Sequence, residues 1–185
     1  MSCGCGKKKN GTIDAAMERE ANQLLPPTQW GPIFWKYLHI IAEKVGQSGS
    51  KLMDTDQANY TTTMITMLPS IIPCPDCQNH SEAYLAANPF PSLKDAYGAA
   101  LRAIIRQWLF NFHNHVRIMK EQIPLDTVEE CTELYAAAFV SRAEYTILTE
   151  CIAAATRQNW VRLPQWKKWY SVSERLRLLS GNMIN

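Results

Sequence analysis

The stretch Leu101-Arg102-Ala103-Ile104-Ile105-Arg106-Gln107-Trp108-Leu109-Phe110-Asn111-Phe112-His113-Asn114-His115-Val116-Arg117-Ile118-Met119 carries the pattern that decides the fold. Counted from Tyr97, apolar residues return at Leu101, Ile104, Ile105, Trp108, Phe112, Val116 and Met119. That spacing of three and four residues is the signature of a helix with one broad buried face. Pro91-Ser92 marks its start and Pro124 closes it. The same period recurs outward. Thr12 can cap a pattern through Ile13, Met17, Ala21 and Leu24, which Pro26-Pro27 stops. Thr28 or Gln29 opens a second helix, with Ile33, Phe34, Tyr37, Leu38 and Ile41 on one face, ending near Gly46. Asp54 or Thr55 caps a third, with Tyr60, Met64, Met67 and Leu68 inward, ended or kinked by Pro69 and Pro73. Cys74 begins a fourth, which runs to Asn88-Pro89.

Beyond Pro124, Asp126 or Thr127 caps one long pattern through Val128, Tyr135, Phe139, Ile147 and Ile152 to about Arg157. A last segment from Leu163-Pro164 carries Trp166, Trp169, Tyr170, Leu176 and Leu179. No alternating run of strand length and no internal repeat occurs. The fold class is therefore all-α, a helix bundle with short connections.

The chain has 185 residues, 46% hydrophobic and 19% charged, enough apolar material for one domain or one compact core with an extension. Wholesale disorder is excluded. Lys+Arg 19 against Asp+Glu 17 leaves +2, which gives no ground for a nucleic-acid partner. No apolar run approaches the roughly 20 residues of a membrane span. Met1-Ser2-Cys3-Gly4-Cys5-Gly6-Lys7-Lys8-Lys9 has no apolar stretch behind its charges, so it does not read as a secretory signal, and Ser2 removes a myristoylation reading. The expected division is a flexible tail (1–11), a helical core (12–124) and a C-terminal helical extension (125–185).

Six cysteines fall as Cys3/Cys5, Cys74/Cys77, Cys131 and Cys151. Close pairs without an export signal point to metal binding or redox chemistry rather than a disulfide framework. In Pro73-Cys74-Pro75-Asp76-Cys77-Gln78-Asn79-His80 the pair sits at a helix N-terminus, where free N–H groups and the dipole favour thiolate. A thioredoxin-like site wants a βαβ setting, which is missing. A c-type haem site fails because Gln78 follows Cys77. Zinc needs four ligands, which Cys74, Cys77, His80 and a remote pair such as Cys3/Cys5 could supply. Spacing alone leaves zinc and redox open.

Two further constellations carry polar groups among aromatics. Gly31, within Trp30-Gly31-Pro32, allows close backbone approach to a ligand, and Trp35, Leu38 and His39 lie within about one helical turn. His113 and Asn114 stand at the edge of the long apolar stripe. Each taken singly reads as core helix with hydrogen-bonded polar residues.

Taken in order, Trp30-Gly31-Pro32-x-x-Trp35-x-x-Leu38-His39, Pro73-Cys74-x-x-Cys77-x-x-His80 and Trp108-x-x-x-x-His113-Asn114-x-Val116 resemble the Erv/ALR family of FAD-linked sulfhydryl oxidases over residues 28–120. The resemblance implies a four-helix bundle with a further short helix, often a homodimer, holding FAD noncovalently. It implies that Cys77 is the flavin-proximal sulfur and Cys74 the exchange sulfur. Trp35 and His39 match positions around the flavin and adenine, and His113 and Asn114 match cofactor contacts. Gly31, Tyr37, His80, Trp108, Arg117 and Lys120 are further candidates for that pocket. Arg117 stands where the family motif usually has Asn, and an Arg there can instead reach the cofactor pyrophosphate. Leu85 and Phe110 occupy the places of a disulfide staple found in many relatives.

The implied activity is thiol oxidation in protein dithiol clients, with electrons passing through the CxxC pair to FAD and then to dioxygen, giving hydrogen peroxide; no metal takes part. Family members carry a second pair on a tail, which makes Cys3 and Cys5 the expected shuttle. The compartment implied is host cytoplasm or virion for a large-DNA-virus member, otherwise the mitochondrial intermembrane space. The rival reading is a non-enzymatic helical zinc-binding interaction module built on Cys3, Cys5, Cys74, Cys77 or His80. If residues 126–157 form one helix, Cys131 and Cys151 lie about 30 Å apart and stay unpaired. Trp160, Trp166, Trp169 and Tyr170 are read as core packing, with a subunit or client contact as the alternative.

Overall fold

The computed structural model describes residues 24–181 and residue 184. Eight helices follow one another: α1 (Pro27–Lys44), α2 (Lys51–Thr66), α3 (Leu68–Ile71), α4 (Pro75–Ala87), α5 (Gly98–Met119), α6 (Val128–Tyr135), α7 (Arg142–Arg157) and α8 (Leu163–Leu179). Among the described residues there is no strand, only an isolated bridge between Val140 and Ile184. The helix expected from Thr12, and the tail with Cys3 and Cys5, lie outside the described residues.

The apolar stripes meet as the periodicity requires. Leu101, Ile105, Leu109 and Phe112 of α5 face Phe34, Leu38 and Ile41 of α1, all in one core cluster. Burying side chains of this size contributes roughly 1.5–3 kcal/mol each. Tyr84 brings α4 onto α5: its ring stacks on Phe112 at 4.6 Å and meets Trp108 edge-on at 5.7 Å.

Three expected boundaries move, each for a physical reason. α2 starts at Lys51, not at Asp54 or Thr55, because Ser50 is the N-cap and accepts from the Met53 N–H. Asp54 is then free for a tertiary task. Its carboxylate accepts from the Ser48 hydroxyl at 2.6 Å and from the Gly98 N–H at 2.8 Å. That second bond fixes where α5 begins, at Gly98 rather than at Pro91-Ser92. Gly46 packs against the same corner with φ +72, and a Cβ there would run into the Gly98 carbonyl. Only glycine suits both demands.

The long pattern expected from 126 to 157 is two helices, α6 and α7. Thr127 caps the first, and Ser141 with Glu144 forms a complete capping box that starts the second. The periodicity runs through the break because Tyr135 of α6 and Ile152 of α7 both pack on the same core, although Phe139 and Ile147 of that pattern are exposed.

Residues 126–179 share that core with the first five helices. Val140, Leu148, Ile152, Val161, Trp169 and Leu176 belong to the cluster that holds α1 and α5. Gln57, almost fully buried, ties the layers together: its Oε1 accepts from the Gly46 N–H, and its Nε2 donates to the Leu179 carbonyl and Ser180 Oγ. Of the aromatic residues after 157, Trp169 is core, whereas Trp160 and Tyr170 are exposed, so core packing accounts for only part of that set. Cys131 and Cys151 are buried and unpaired, and burial raises both thiols, Cys131 to about 11, which keeps them protonated and unreactive.

Candidate active site

α4 begins on Cys74. Its extended backbone (φ −160, ψ 112) makes it the N-cap, its Sγ accepts from the Cys77 N–H at 3.3 Å, and Pro75 fills the first helical position. One turn brings Cys77 back over Cys74, with Cα atoms 5.2 Å apart, and the two sulfurs are joined as a disulfide. The pair is half-exposed.

Cys77 faces a cavity of about 640 Å³ between α1, α4 and α5. Gly31, Trp35, His80, His113, Arg117 and Lys120 from the sequence-based set line the same cavity. Its floor is aromatic. Trp35 stacks on His113 with centroids 4.1 Å apart and planes within 8°. Its rim carries the cations Arg117 and Lys120.

The other sequence-based candidates lie elsewhere. His39 is behind the wall: its Nε2 shares a hydrogen bond with His113 Nδ1 at 2.9 Å, and its ring stacks on Tyr135 at 4.8 Å. Asn114 spends both ends of its amide on the backbone of Leu125, donating to the carbonyl at 2.8 Å and accepting from the N–H at 2.9 Å. That clasp sets the connection from α5 to α6. Trp108 donates to the Asn88 carbonyl on the far side of α4. Tyr37 is wholly buried, 5.9 Å from the Tyr145 ring and 6.2 Å from Trp169, on the opposite face of α1. Cys74 is absent from the cavity lining, so the two sulfurs face different surroundings. Cys3 and Cys5 lie outside the described residues.

Sequence reading missed several wall residues: Trp30, Phe34, Phe112, Val116 and Tyr135. Trp30 stood inside a quoted motif and Phe112 on the α5 stripe, so both had a signal. Tyr135 had none, because only the return of α6 onto α1 brings it there.

Both histidines are held neutral. Burial lowers His39 to about 4, and burial followed by repulsion from His39 and Arg117 lowers His113 to about 3. An unfolded histidine titrates near 6.5. Between that value and the depressed folded ones, the unfolded chain binds more protons. The stability from this pair is therefore complete above about pH 6.5 and is lost as pH falls through about 4 for His39 and about 3 for His113. Unfolding free energy measured at pH 7.5 and pH 5 should differ by on the order of 4 kcal/mol, about half from each ring, and replacing His39 with glutamine should roughly halve that slope. An unchanged slope in the variant would contradict the neutral pair.

The residues fit a large, flat, anionic ligand on two observations. The indole Nε1 of Trp30 is buried at the cavity wall with no hydrogen-bond partner. A Cβ on Gly31 would meet no atom of the described residues within 4 Å, so among them the backbone there borders open space. A FAD-sized group suits this arrangement: slots for rings beside Trp35 and His113, cations for a pyrophosphate, and a sulfur at the wall.

Comparison with known proteins follows the same line. The Erv1/Alr family model matches residues 32–134. A protein of Invertebrate iridescent virus 3, provisionally named FAD-linked sulfhydryl oxidase 096R, is 30% identical over 106 residues, covering 56% of this chain and 66% of the relative, just under two thirds of its length. A FAD-linked sulfhydryl oxidase of African swine fever virus (isolate Pig/Kenya/KEN-50/1950) is 27% identical over 118 residues, covering 63% of this chain and 87% of the relative. No solved structure matches at a comparable level.

Proposed function

Since the chain belongs to the Erv1/Alr family, we propose that it is a FAD-dependent thiol oxidase that makes disulfides in protein clients. The carrying observation is that Cys77, the inner half of a helix-capping disulfide, lines the cavity whose wall is the stacked Trp35–His113 pair. A client thiolate attacks Cys74 Sγ and expels Cys77 as thiolate; the second client thiol then releases Cys74, leaving the client oxidised and the pair reduced. The Cys77 N–H, already aimed at Cys74 Sγ, and the α4 N-terminus favour the thiolate that each exchange requires.

Trp35, His113 and Gly31 would hold the ring system, and Arg117 and Lys120 the phosphates. A bound flavin would supply the two-electron acceptor between the cysteine pair and dioxygen, with hydrogen peroxide as the product. The helices around it exclude water and fix Cys77 at the wall. Cys3 and Cys5 enter this reading as a second route, a shuttle that takes electrons from a client and passes them to Cys74 by the same exchange. The named viral relatives support action inside an infected cell or virion, and family practice supports a homodimer.

No helix among the described residues is long and apolar enough to cross a membrane. The zinc-module alternative is not favoured: the Cys74 and Cys77 sulfurs are bonded to each other, and among the described residues no three potential ligands gather. Purified protein should be yellow, with an absorbance band at about 450 nm, and should consume oxygen with dithiothreitol. A colourless protein carrying stoichiometric zinc would overturn the reading.

A further inference from the structure

Next to the redox pair stands a turn for which thiol exchange with small molecules has no use. Gln78, one residue past Cys77, donates from Nε2 to two carbonyls, Ile72 at 2.7 Å and Trp160 at 2.9 Å. The Ile72 carbonyl also accepts the Cys74 N–H at 2.8 Å. The α7–α8 turn is thus hung from the carbonyl that holds Cys74. The turn is stiff: Asn159 has φ +60, and the Trp160 and Val161 N–H groups both return to the Ala155 carbonyl. From this anchored backbone Trp160 and Leu163 stand 41% and 49% exposed. A scattered exposed indole asks for no explanation, but one latched beside a reactive disulfide does.

The chemistry gives the direction of approach. Attack on Cys74 that expels Cys77 runs in line with the S–S bond, so the incoming sulfur comes from the side away from Cys77 and its cavity. Charge narrows the partner. Asp76 and Glu82 are the carboxylates of α4, Asp76 in its first turn, while residues 157–168 contain no carboxylate and place Arg162, Lys167 and Lys168 at the surface.

We propose that the α7–α8 turn is the docking edge for polypeptide dithiols, with Trp160 receiving an apolar side chain beside the reacting cysteine and Arg162 a carboxylate. Gln78 is the positioning residue that keeps this edge against Cys74. The step balances within the two partners: two polypeptide thiols become one disulfide, the Cys74–Cys77 bond breaks, and two electrons and two protons pass to the cysteine pair. The inference rests on the exchange role given to Cys74 above. It adds where such a client docks and which side chains it offers there, because a small dithiol has no side chain to offer Trp160.

The test follows reduction of Cys74 and Cys77 in the full oxidised chain by alkylation and mass spectrometry, a readout that does not depend on flavin turnover. Three reductants are compared: dithiothreitol, a dithiol peptide with Phe and Glu beside its cysteines, and the same peptide with Ser and Lys instead. The Phe/Glu peptide should react roughly five- to tenfold faster than the Ser/Lys peptide. Trp160→Ala should lower the peptide rate relative to the dithiothreitol rate by a similar factor, and Arg162→Glu should reverse the Glu-over-Lys preference. Equal rates for the two peptides, or a Trp160→Ala variant that slows all three reductants alike, would overturn the proposal. If peptide selectivity holds while oxygen uptake is missing, the oxidase reading fails and the docking edge stands.

Discussion

Cys77→Ser is expected to abolish oxygen uptake with dithiothreitol, by at least about 10³-fold, while the visible spectrum of the purified protein stays that of the parent. The expectation follows from position. Cys77 is the sulfur at the cavity wall and Cys74 is not. A serine hydroxyl keeps the shape of the site but forms no bond to Cys74, so the disulfide that takes electrons from a thiol is missing. The change is small in volume and the residue is half-exposed, so folding should survive. The remaining Cys74 thiol, at the helix N-cap, should form a mixed disulfide with a client supplied in its oxidised form, attacking one sulfur of the client disulfide and releasing the other as thiolate, which gel mobility would show. Uptake within tenfold of the parent would remove Cys77 from the path. Loss of the yellow colour in the same variant would instead make the sulfur part of cofactor retention.

Trp169→Ala should produce the largest loss of stability, about 3–5 kcal/mol, which for a domain of this length lowers the melting temperature by roughly 10–15 °C. Trp169 is 1% exposed. Its ring meets Phe34 and Tyr37 of α1, each at 6.2 Å, and stacks on Trp166 at 5.9 Å. Its Nε1 donates to the Met64 carbonyl of α2 at 3.2 Å, so the alanine variant leaves both a void and a lost donor. The damage should travel. Phe34, which touches Trp169, also lines the cavity and meets Trp30 edge-on at 6.1 Å. Looser packing at α8 should therefore weaken flavin retention, and added FAD should restore part of the melting temperature by mass action. Trp169→Phe, which keeps most of the volume, should cost less than half as much. A melting temperature unchanged by Trp169→Ala, followed by circular dichroism, would mean that the C-terminal helices are not part of the folding unit.

Helicity, helix order and the redox pair were all legible in contiguous residues. The stripe from Leu101 to Met119 and the run from Ile33 to Ile41 needed only the helical period; in the structure the face is buried through Phe112 and from Phe34 to Ile41, while Val116 is half-buried and Met119 exposed. Cys74 at a helix start needed only Pro73, Pro75 and the spacing to Cys77. Seven of the sequence-based candidates, Cys77 included, line the cavity. The break between α6 and α7 was written locally too, in Ser141 and Glu144, but a periodicity count runs past a cap when both helices pack on the same core.

What tertiary structure decided is where side chains of equal local character end up. Tyr37 and Trp35 are two residues apart on α1, yet one is sealed against Tyr145 and Trp169 and the other stacks on His113 in the cavity. Asp54 reads as a cap for its own helix and serves instead at the start of α5. Asn114 and His113 are neighbours, and only one reaches the cavity, because the other meets the backbone of Leu125. Period and caps depend on the chain within a few residues and can be read along it. The destination of a polar or aromatic side chain depends on which distant helix supplies its partner, and packing alone makes that choice.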